Sequence, residues 1–363
     1  SDNYPVLNPE YGETYIGGES VQQSLLAIEF AKQGYDVSTV VKDNGQPDAE
    51  IIHGITIWKT FKEGSGLPVF KFIHPKMTLI WKALKNADAD IYYQSCAGVA
   101  TGVVARICSL FKRKFVFRIA HDTDCIPGEQ LIPYWRDKKI YEYGLRNADL
   151  VIAQSKQQQE LLKKNYNLDS EILKMVVELP GKNKLERDID VLWVNNFRPF
   201  KRPEKLPEIA RLLPDIKFTM IGGPCHGHED LFDQVSAAAL QLDNLEFCGF
   251  VPYHKVNEMY RRSRLFLNTS DSEGFPNSFL QSWVRGTPVI SFFDPDNTIS
   301  RESIGTSPDD LNSMINDIKM LLEKTEKLAE LSSASELFAV KHYSPESIVN
   351  QYMQLFTDKK FLQ

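Results

Sequence analysis

Short apolar, β-branched runs alternate with helix-patterned segments along almost the whole chain, and this alternation is the strongest constraint on what it can fold into. In the first half the runs are 37–41 (VSTVV), 51–57 (IIHGITI), 69–73 (VFKFI), 91–94 (IYYQ), 115–119 (FVFRI) and 150–154 (LVIAQ). In the second half they are 191–194 (VLWV), 217–221 (KFTMI), 245–248 (LEFC), 265–268 (LFLN) and 288–292 (PVISF). Helical patterns fall between them at 19–33, 98–111, 155–165, 203–212 and 276–285. Strands that alternate with helices predict parallel sheets covered on both faces, hence an α/β chain.

The alternation pauses once, at 180–190 (PGKNKLERDID), a polar, charged stretch with Pro-Gly and a linker composition. A length of 363 residues also suits two domains better than one. The expected organisation is a first α/β domain over 1–180 and a second over 185–340. The helical pattern at 343–356 puts Ile348, Tyr352, Met353 and Phe356 on one face. It is expected to pack, with the segment 343–363 returning to the first domain. Two doubly wound parallel sheets facing each other leave a cleft at the carboxyl ends of their strands, where ligands bind in open sheets. No short apolar run near residue 1 marks the usual opening strand.

Composition narrows the function. Of the net charge of −6, residues up to Glu178 carry −1 and the remainder −5, so neither half has the positive field of a nucleic-acid binder. Lys112-Arg113-Lys114 is the one basic triplet; a solvated helix end is its ordinary reading, and docking on a membrane surface the other. No apolar run reaches the ~18 residues of a membrane span. The opening SDNYPVLNPEYGE is polar and Pro-rich, unlike a signal peptide, so a cytoplasmic location is expected. Five scattered cysteines (Cys96, Cys108, Cys125, Cys225, Cys248) form no CxxC pair and read as reduced thiols. Cys225, His226 and His228 lack further ligands at sensible spacing, so no metal site is expected.

The densest chemistry lies at 268–288 (NTSDSEGFPNSFLQSWVRGTP), read as strand end, loop, helix and strand. Pro276 and Asn277 stand where the helix should begin, Pro suited to the first turn and Asn able to cap. A helix start behind a strand offers backbone N–H groups to an anion such as a phosphate. Glu273 precedes that start and suits sugar hydroxyls better than phosphate. Gln281, in the second turn of the helix, can reach ribose hydroxyls.

The string EGFPNSFLQSWVRGTPVI resembles the donor-site signature of family-four retaining glycosyltransferases, the bacterial group 1 glycosyltransferases of the GT-B fold, which use nucleotide-sugars. That signature carries two glutamates eight residues apart; here the positions fall on Glu273 and Gln281, and a side-chain amide can still bond a diol. Gly17-Gly18 before Glu19 resembles the family's N-terminal glycine loop, which faces the donor phosphates. FVFRI followed by His121 resembles the strand-His position that approaches the reacting sugar. VNNFRPFKRP resembles the segment whose Arg and Lys grip the pyrophosphate: Lys201 aligns with the Lys, the Arg position falls on Asn196, and Arg198 or Arg202 substitutes. Gly223 after a strand and Val251 after Phe247-Cys-Gly-Phe resemble the loops around the nucleotide.

The resemblance implies a GT-B fold of two Rossmann-like domains across a cleft, and a retaining hexosyltransferase. Donor sugar would be held by Glu273, Gly274, Phe275, Pro276 and Asn277, diphosphate by Gly18, Arg198, Lys201 and Arg202, and nucleotide by Gly223, Val251, Ser278 and Gln281. His121 and Glu273 would be the catalytic residues. It further implies no metal or other cofactor, a saccharide or lipid-linked acceptor, bacterial surface-polysaccharide or glycoconjugate assembly, and peripheral contact with the inner face of the cell membrane. The rivals are a nucleotide-sugar epimerase or phosphorylase of the same fold and a non-catalytic nucleotide-sugar-binding subunit. A nicotinamide dehydrogenase is disfavoured, since no GxGxxG follows an early strand.

Overall fold

The computed structural model describes residues 3–11, 17–62, 64–65, 76–181, 185–358 and 361. The chain divides into two compact units, residues 1–176 with 345–363 and residues 177–344. The run at 69–73 lies outside the described residues.

The first unit opens on a single helical turn, α1 (Tyr4–Leu7), where no strand forms; Tyr4 and Leu7 are buried. It continues through α2 (Gly18–Lys32), β1 (Val37–Val41), β2 (Glu50–Ile52), β3 (Ile55–Lys59), α3 (Thr78–Ala87), β4 (Ile91–Ser95), α4 (Val99–Phe111), β5 (Lys114–Arg118), α5 (Trp135–Arg146), β6 (Leu150–Ala153), α6 (Lys156–Tyr166) and β7 (Glu171–Ile172). The apolar run at 51–57 is not one strand. His53 and Gly54 both take positive φ, 52° and 78°, and close a two-residue hairpin in which β2 runs antiparallel to β3. Gly54 makes that turn inexpensive, and the hairpin splits the run in two.

β4, β5, β6 and β7 form a parallel sheet in chain order, while β1, β3 and β2 form a second sheet with β1 parallel to β3. Strand β5 shows why both faces must be covered. Phe115 and Phe117 point into a cluster with Val104, Tyr141 and Leu145, whereas Val116 points into one with Leu26, Ile348 and Tyr352. Alternate residues of a strand face opposite sides, so an all-apolar strand needs helices on both.

The second unit runs β8 (Ile189–Val194), α7 (Lys205–Leu212), β9 (Phe218–Ile221), α8 (Glu229–Ala239), β10 (Leu245–Gly249), α9 (Tyr253–Arg262), β11 (Ser263–Asn268), α10 (Asn277–Trp283), β12 (Val289–Ser291), α11 (Thr298–Glu302), β13 (Gly305–Thr306), α12 (Leu311–Glu323) and α13 (Thr325–Tyr343). Its six strands are all parallel, in the order β10-β9-β8-β11-β12-β13. The winding direction reverses between β8 and β11, which places a topological switch point there. After the second unit, α14 (Pro345–Phe356) returns to the first and packs on α2, as Phe30 against Tyr352 and Phe356 shows. Both units are α/β with Rossmann-like parallel sheets. No helix among the described residues is long and apolar enough to cross a membrane.

Helices α4 and α5 approach so closely that a Cβ on Gly144 would fall inside the backbone of Thr101 and Gly102. Gly144→Ala is therefore expected to destabilise the first unit by about 1–3 kcal/mol through overpacking. Urea denaturation checks this, and an unchanged midpoint would mean the helices can part without cost.

Candidate functional site

Parallel strands deliver their following loops to one end of the sheet, and in the second unit four such loops carry the expected residues. The loop after β8 holds Arg198, Lys201 and Arg202, that after β9 Gly223, that after β10 Val251, and that after β11 Glu273 to Ser278. Backbone bonds stitch them together. Asn195 N–H donates to Ile221 O (3.1 Å), Gly222 N–H to Gly249 O (2.9 Å), and Asp271 N–H to Phe200 O (2.9 Å). A Cβ on Gly222 would collide with Asn195 O, so that crossing admits only glycine. Phe250 packs beside Gly223, where a Cβ would sit 3.4 Å from the Phe250 Cβ.

Lys201 and Glu273 meet at the switch point. Lys201 Nζ lies 2.5 Å from Glu273 Oε2, with the two side chains only 13 % and 11 % exposed. The other carboxylate oxygen, Oε1, accepts from Ser270 Oγ (2.6 Å) and Asn268 Nδ2 (3.1 Å). Burial by itself would raise the Glu273 pKa, but the charge and hydrogen bond of Lys201, with Ser270 and Asn268, more than offset it and the carboxyl is held below its ordinary value. Asn268 is fixed in turn, because its Oδ1 accepts from Ser270 N–H (2.7 Å).

Thr269 is a residue that the pattern-based reading overlooked. Its fully buried hydroxyl lies 2.9 Å from Lys201 O and 3.0 Å from Arg202 O, and accepts from Trp193 Nε1 (2.9 Å). It clips the Lys201 loop to the Glu273 loop. The available signal was the polar run Asn268-Thr269-Ser270 directly behind an apolar strand; all three are fully buried.

The two candidate arginines differ. Arg202 is drawn to Glu204 (2.6 Å) and Asp271 (2.9 Å), while Arg198 is half-buried at the start of the loop. Asn196 is half-buried beside it, and its carbonyl accepts from Arg198 N–H (2.9 Å). At the helix start the expectation for Asn277 is corrected. Pro276 is the cap residue, Asn277 is the first helical residue, and no side chain caps α10. Capping would need Asn277 outside the helix, whereas the extended backbone of Pro276 (ψ 127°) already turns the chain in. Asn277 Oδ1 is instead buried with no hydrogen-bond partner. Phe275 packs its ring on Trp283 and Tyr343, which leaves its backbone, with that of Gly274, to line the loop. Gln281 Nε2 donates to Asn257 Oδ1 (3.1 Å), and Asn257 Nδ2 donates to Glu178 Oε2 (3.0 Å). This chain orients the Gln281 amide and leaves its oxygen as the acceptor for a hydroxyl.

In the first unit, Gly18 opens α2 behind Gly17, and His121 follows β5. Buried Arg118 reaches Glu19 (3.7 Å), which also accepts from Ser95 Oγ, so the strand leading to His121 and the helix opened by Gly18 share one ion pair. His121 Nδ1 accepts from Thr123 N–H (3.2 Å), which makes the neutral ring an Nε2–H donor. Asp124 accepts from His121 N–H (3.0 Å) and Ala120 N–H (3.4 Å); burial pushes its carboxyl up to about 6. Downstream, Leu131, Tyr134 and Trp135 are exposed, Trp135 by 79 %. The segment leading to them is anchored through Gln130 Nε2, which donates to Tyr166 Oη (2.8 Å). In the basic triplet, Arg113 pairs with Asp88 (2.7 Å) and Asp90 (2.8 Å), and Lys114 with Asp149 (3.5 Å). His226 is fully exposed beside Glu229, and no group of three metal-capable side chains occurs among the described residues.

Known proteins match both units. The family model described as Glycosyltransferase Family 4 matches residues 16–176, and that described as Glycosyl transferases group 1 matches residues 178–332. The 2-deoxystreptamine N-acetyl-D-glucosaminyltransferase of Niallia circulans is 25 % identical over 158 residues, 42 % of this chain and 40 % of that relative. The O-antigen biosynthesis glycosyltransferase WbnH of Escherichia coli is 25 % identical over 222 residues, 58 % of this chain and 60 % of its own. The chain thus spans less than two thirds of the length of these curated relatives. Among solved structures, Anabaena HepE in complex with UDP and glucose superposes with a TM-score of 0.73 at 15 % identity, over 94 % of this chain and 96 % of its own. Sucrose-phosphate synthase from Thermosynechococcus elongatus gives 0.74 at 16 % identity, over 94 % and 93 %.

Two outcomes test this geometry. Thr269→Val keeps the shape of the side chain but orphans the buried Trp193 N–H, and is expected to cost about 1–3 kcal/mol in urea unfolding. An unchanged stability would remove Thr269 from the clip. The Asp124 carboxyl is raised in the fold from 3.8 to about 6, so its contribution is complete below 3.8 and is lost as pH climbs through about 6. The Tm of Asp124→Asn should therefore rise relative to that of the unmodified chain across this window, and a pH-independent difference would contradict it.

Proposed function

Since the chain belongs to the group 1, family-four glycosyltransferases of the GT-B fold, we propose that it moves a sugar from a nucleoside diphosphate-sugar to a saccharide or lipid-linked acceptor with retention of configuration. The observation that carries the reading is the meeting of a largely buried cation, Lys201, and a largely buried carboxylate, Glu273, at the switch point of a parallel sheet. A diphosphate-sugar has complementary parts: anionic oxygens for the cation and hydroxyl donors for the carboxylate.

In this reading Lys201, with Arg198 or Arg202, holds the diphosphate. Gln281 accepts from the ribose, and Gly223, Val251 and Ser278 lie along the nucleoside. Glu273, Asn277 and the backbone of Gly274 to Pro276 take the sugar hydroxyls. The bond from C1 to the diphosphate oxygen breaks, and the acceptor oxygen bonds C1 on the same face. The acceptor proton passes to the departing diphosphate, the base on that face. Cations preorganised at the leaving group stabilise the charge that develops there. Both oxygens of Glu273 are engaged by neighbours, which suits an acceptor of hydroxyls better than a nucleophile. His121 is the catalytic candidate on the first unit. The diphosphate cations are side chains, so the reading calls for no cofactor.

The relatives named for O-antigen biosynthesis and for N-acetyl-D-glucosaminyl transfer to 2-deoxystreptamine support a role in bacterial surface-polysaccharide or glycoconjugate assembly, with the cytoplasm as its proposed location. In this reading any contact with the membrane's inner face uses the exposed Leu131, Tyr134 and Trp135, since Arg113 and Lys114 of the basic triplet are paired with carboxylates.

The test is a thermal-shift screen with UDP, GDP, dTDP and ADP, followed by product analysis with the matching sugar nucleotide. A ligand at 100 times its Kd should add about 2.7 kcal/mol of stability. Lys201→Ala is expected to weaken diphosphate binding more than tenfold, the loss of a charge-assisted bond of roughly 1.5–3 kcal/mol, and nucleoside binding little. Equal losses in calorimetry would make Lys201 merely structural. An isomerised nucleotide-sugar or a sugar phosphate as product would point to an epimerase or phosphorylase instead.

A further inference from the structure

The Lys201–Glu273 pair has a consequence for which nucleotide the site retains. We propose that this ion pair makes the site select the intact sugar nucleotide over the nucleoside diphosphate left after transfer. The inference rests on the donor-binding reading above and adds a specificity to it.

The carboxylate cannot swing away when a phosphate approaches Lys201. Its Oε1 is tied to Ser270 and Asn268, and Asn268 is itself tied to the Ser270 backbone. The lysine is held at its backbone, while its side chain is left to turn. Its carbonyl is clipped by Thr269, its N–H donates to Arg198 O (2.9 Å), and its ammonium lies 5.1 Å from the centre of the Phe200 ring. A diphosphate that engages Lys201 must therefore do so beside a fixed negative charge.

Two like charges confined in a site with little water repel strongly, because the effective dielectric is low. A bare diphosphate faces this repulsion and also leaves Glu273 Oε2 without its cation. Leaving a buried charge short of partners is costly. An intact sugar nucleotide removes the second problem, since a hydroxyl of its sugar donates to Oε2 as Lys201 turns to the phosphate. Once the sugar has gone to the acceptor, that hydroxyl is gone too. Glu273 then competes for Lys201, and the diphosphate's hold on its cation weakens. Glu273 and Lys201 thus act together on product release as well as on donor capture.

Calorimetry with UDP, GDP, dTDP and ADP, each beside its glucose and N-acetylglucosamine conjugates, tests this on the whole chain. In the unmodified chain the best-bound conjugate should bind at least tenfold tighter than its own diphosphate. Glu273→Gln, and separately Glu273→Met, should bind the diphosphate roughly tenfold tighter than the unmodified chain, a gain of about 1.4 kcal/mol. The conjugate should gain nothing, so its preference collapses. In a Lys201→Ala background the gain from Glu273→Gln should shrink, because there is no cation left to release. The inference is overturned if either folded Glu273 variant binds the diphosphate no better than the unmodified chain. It is overturned as well if the unmodified chain binds diphosphate as tightly as its best conjugate, a result that needs no variant. Binding of no nucleotide at all would instead sink the donor reading, and this inference with it.

Discussion

The direct pairing of β11 with β8 decides what the second unit can do. Phe266 lies against Leu192 across that parallel ladder, so the two strands end side by side and their loops leave in the same direction. Because the neighbouring strands wind away on either side, no crossover helix covers the gap between those two loops. Lys201 and Glu273, far apart in sequence, become neighbours for that reason. The Thr269 hydroxyl and the backbone bond from Asp271 to Phe200 then hold the neighbours in register.

Burying both charges needs more than their mutual attraction. An ion pair taken out of water is worth little unless the remaining lone pairs are satisfied. Glu273 meets that condition through Ser270 and Asn268, which explains why three polar residues are fully buried behind an apolar strand. The first unit has a looser counterpart. Arg118 is more deeply buried than either Lys201 or Glu273, yet its Nη1 approaches Glu19 only to 3.7 Å. That looser pair sits between the Gly18 helix and the His121 strand, where a change in either would be felt by the other.

Much of this was legible in the residues. Parallel α/β architecture follows from runs such as FVFRI and VLWV, too apolar for a strand with one wet face, alternating with helices. Glu273 and Gln281 could be picked out because they flank a helix start behind an apolar strand, and Lys201 because its segment resembles that of the family. What escaped was set by contacts that leave no local pattern. The 51–57 run looks like one strand because isoleucines flank His53 and Gly54 on both sides; only the positive φ at those two residues reveals the turn. Strands β7 and β13 have two residues each, too few for any periodicity. Asn277 has the right chemistry for a cap but stands one position too late. Thr269 at a strand end resembles any other threonine until its partner loop is known, and the pairing of Arg113 with Asp88 and Asp90 turns an apparently basic triplet into a balanced one.

The return of α14 to the first unit bears on the order of events during synthesis. Ile348, Val349, Tyr352 and Phe356 close the cluster around Leu26, Val116 and Ile152, yet they are translated after all of residues 177–344. The second unit is contiguous and has its complete core when Tyr343 emerges, whereas the first, begun earlier, still exposes one face of its sheet. Domains generally fold as units as the chain appears. Here the topology allows the second unit to complete its core first, while the cluster around Val116 in the first stays incomplete until α14 is made. A chain interrupted within residues 177–344 would leave the Val116 face of β5 without the cover of Ile348, Val349, Tyr352 and Phe356.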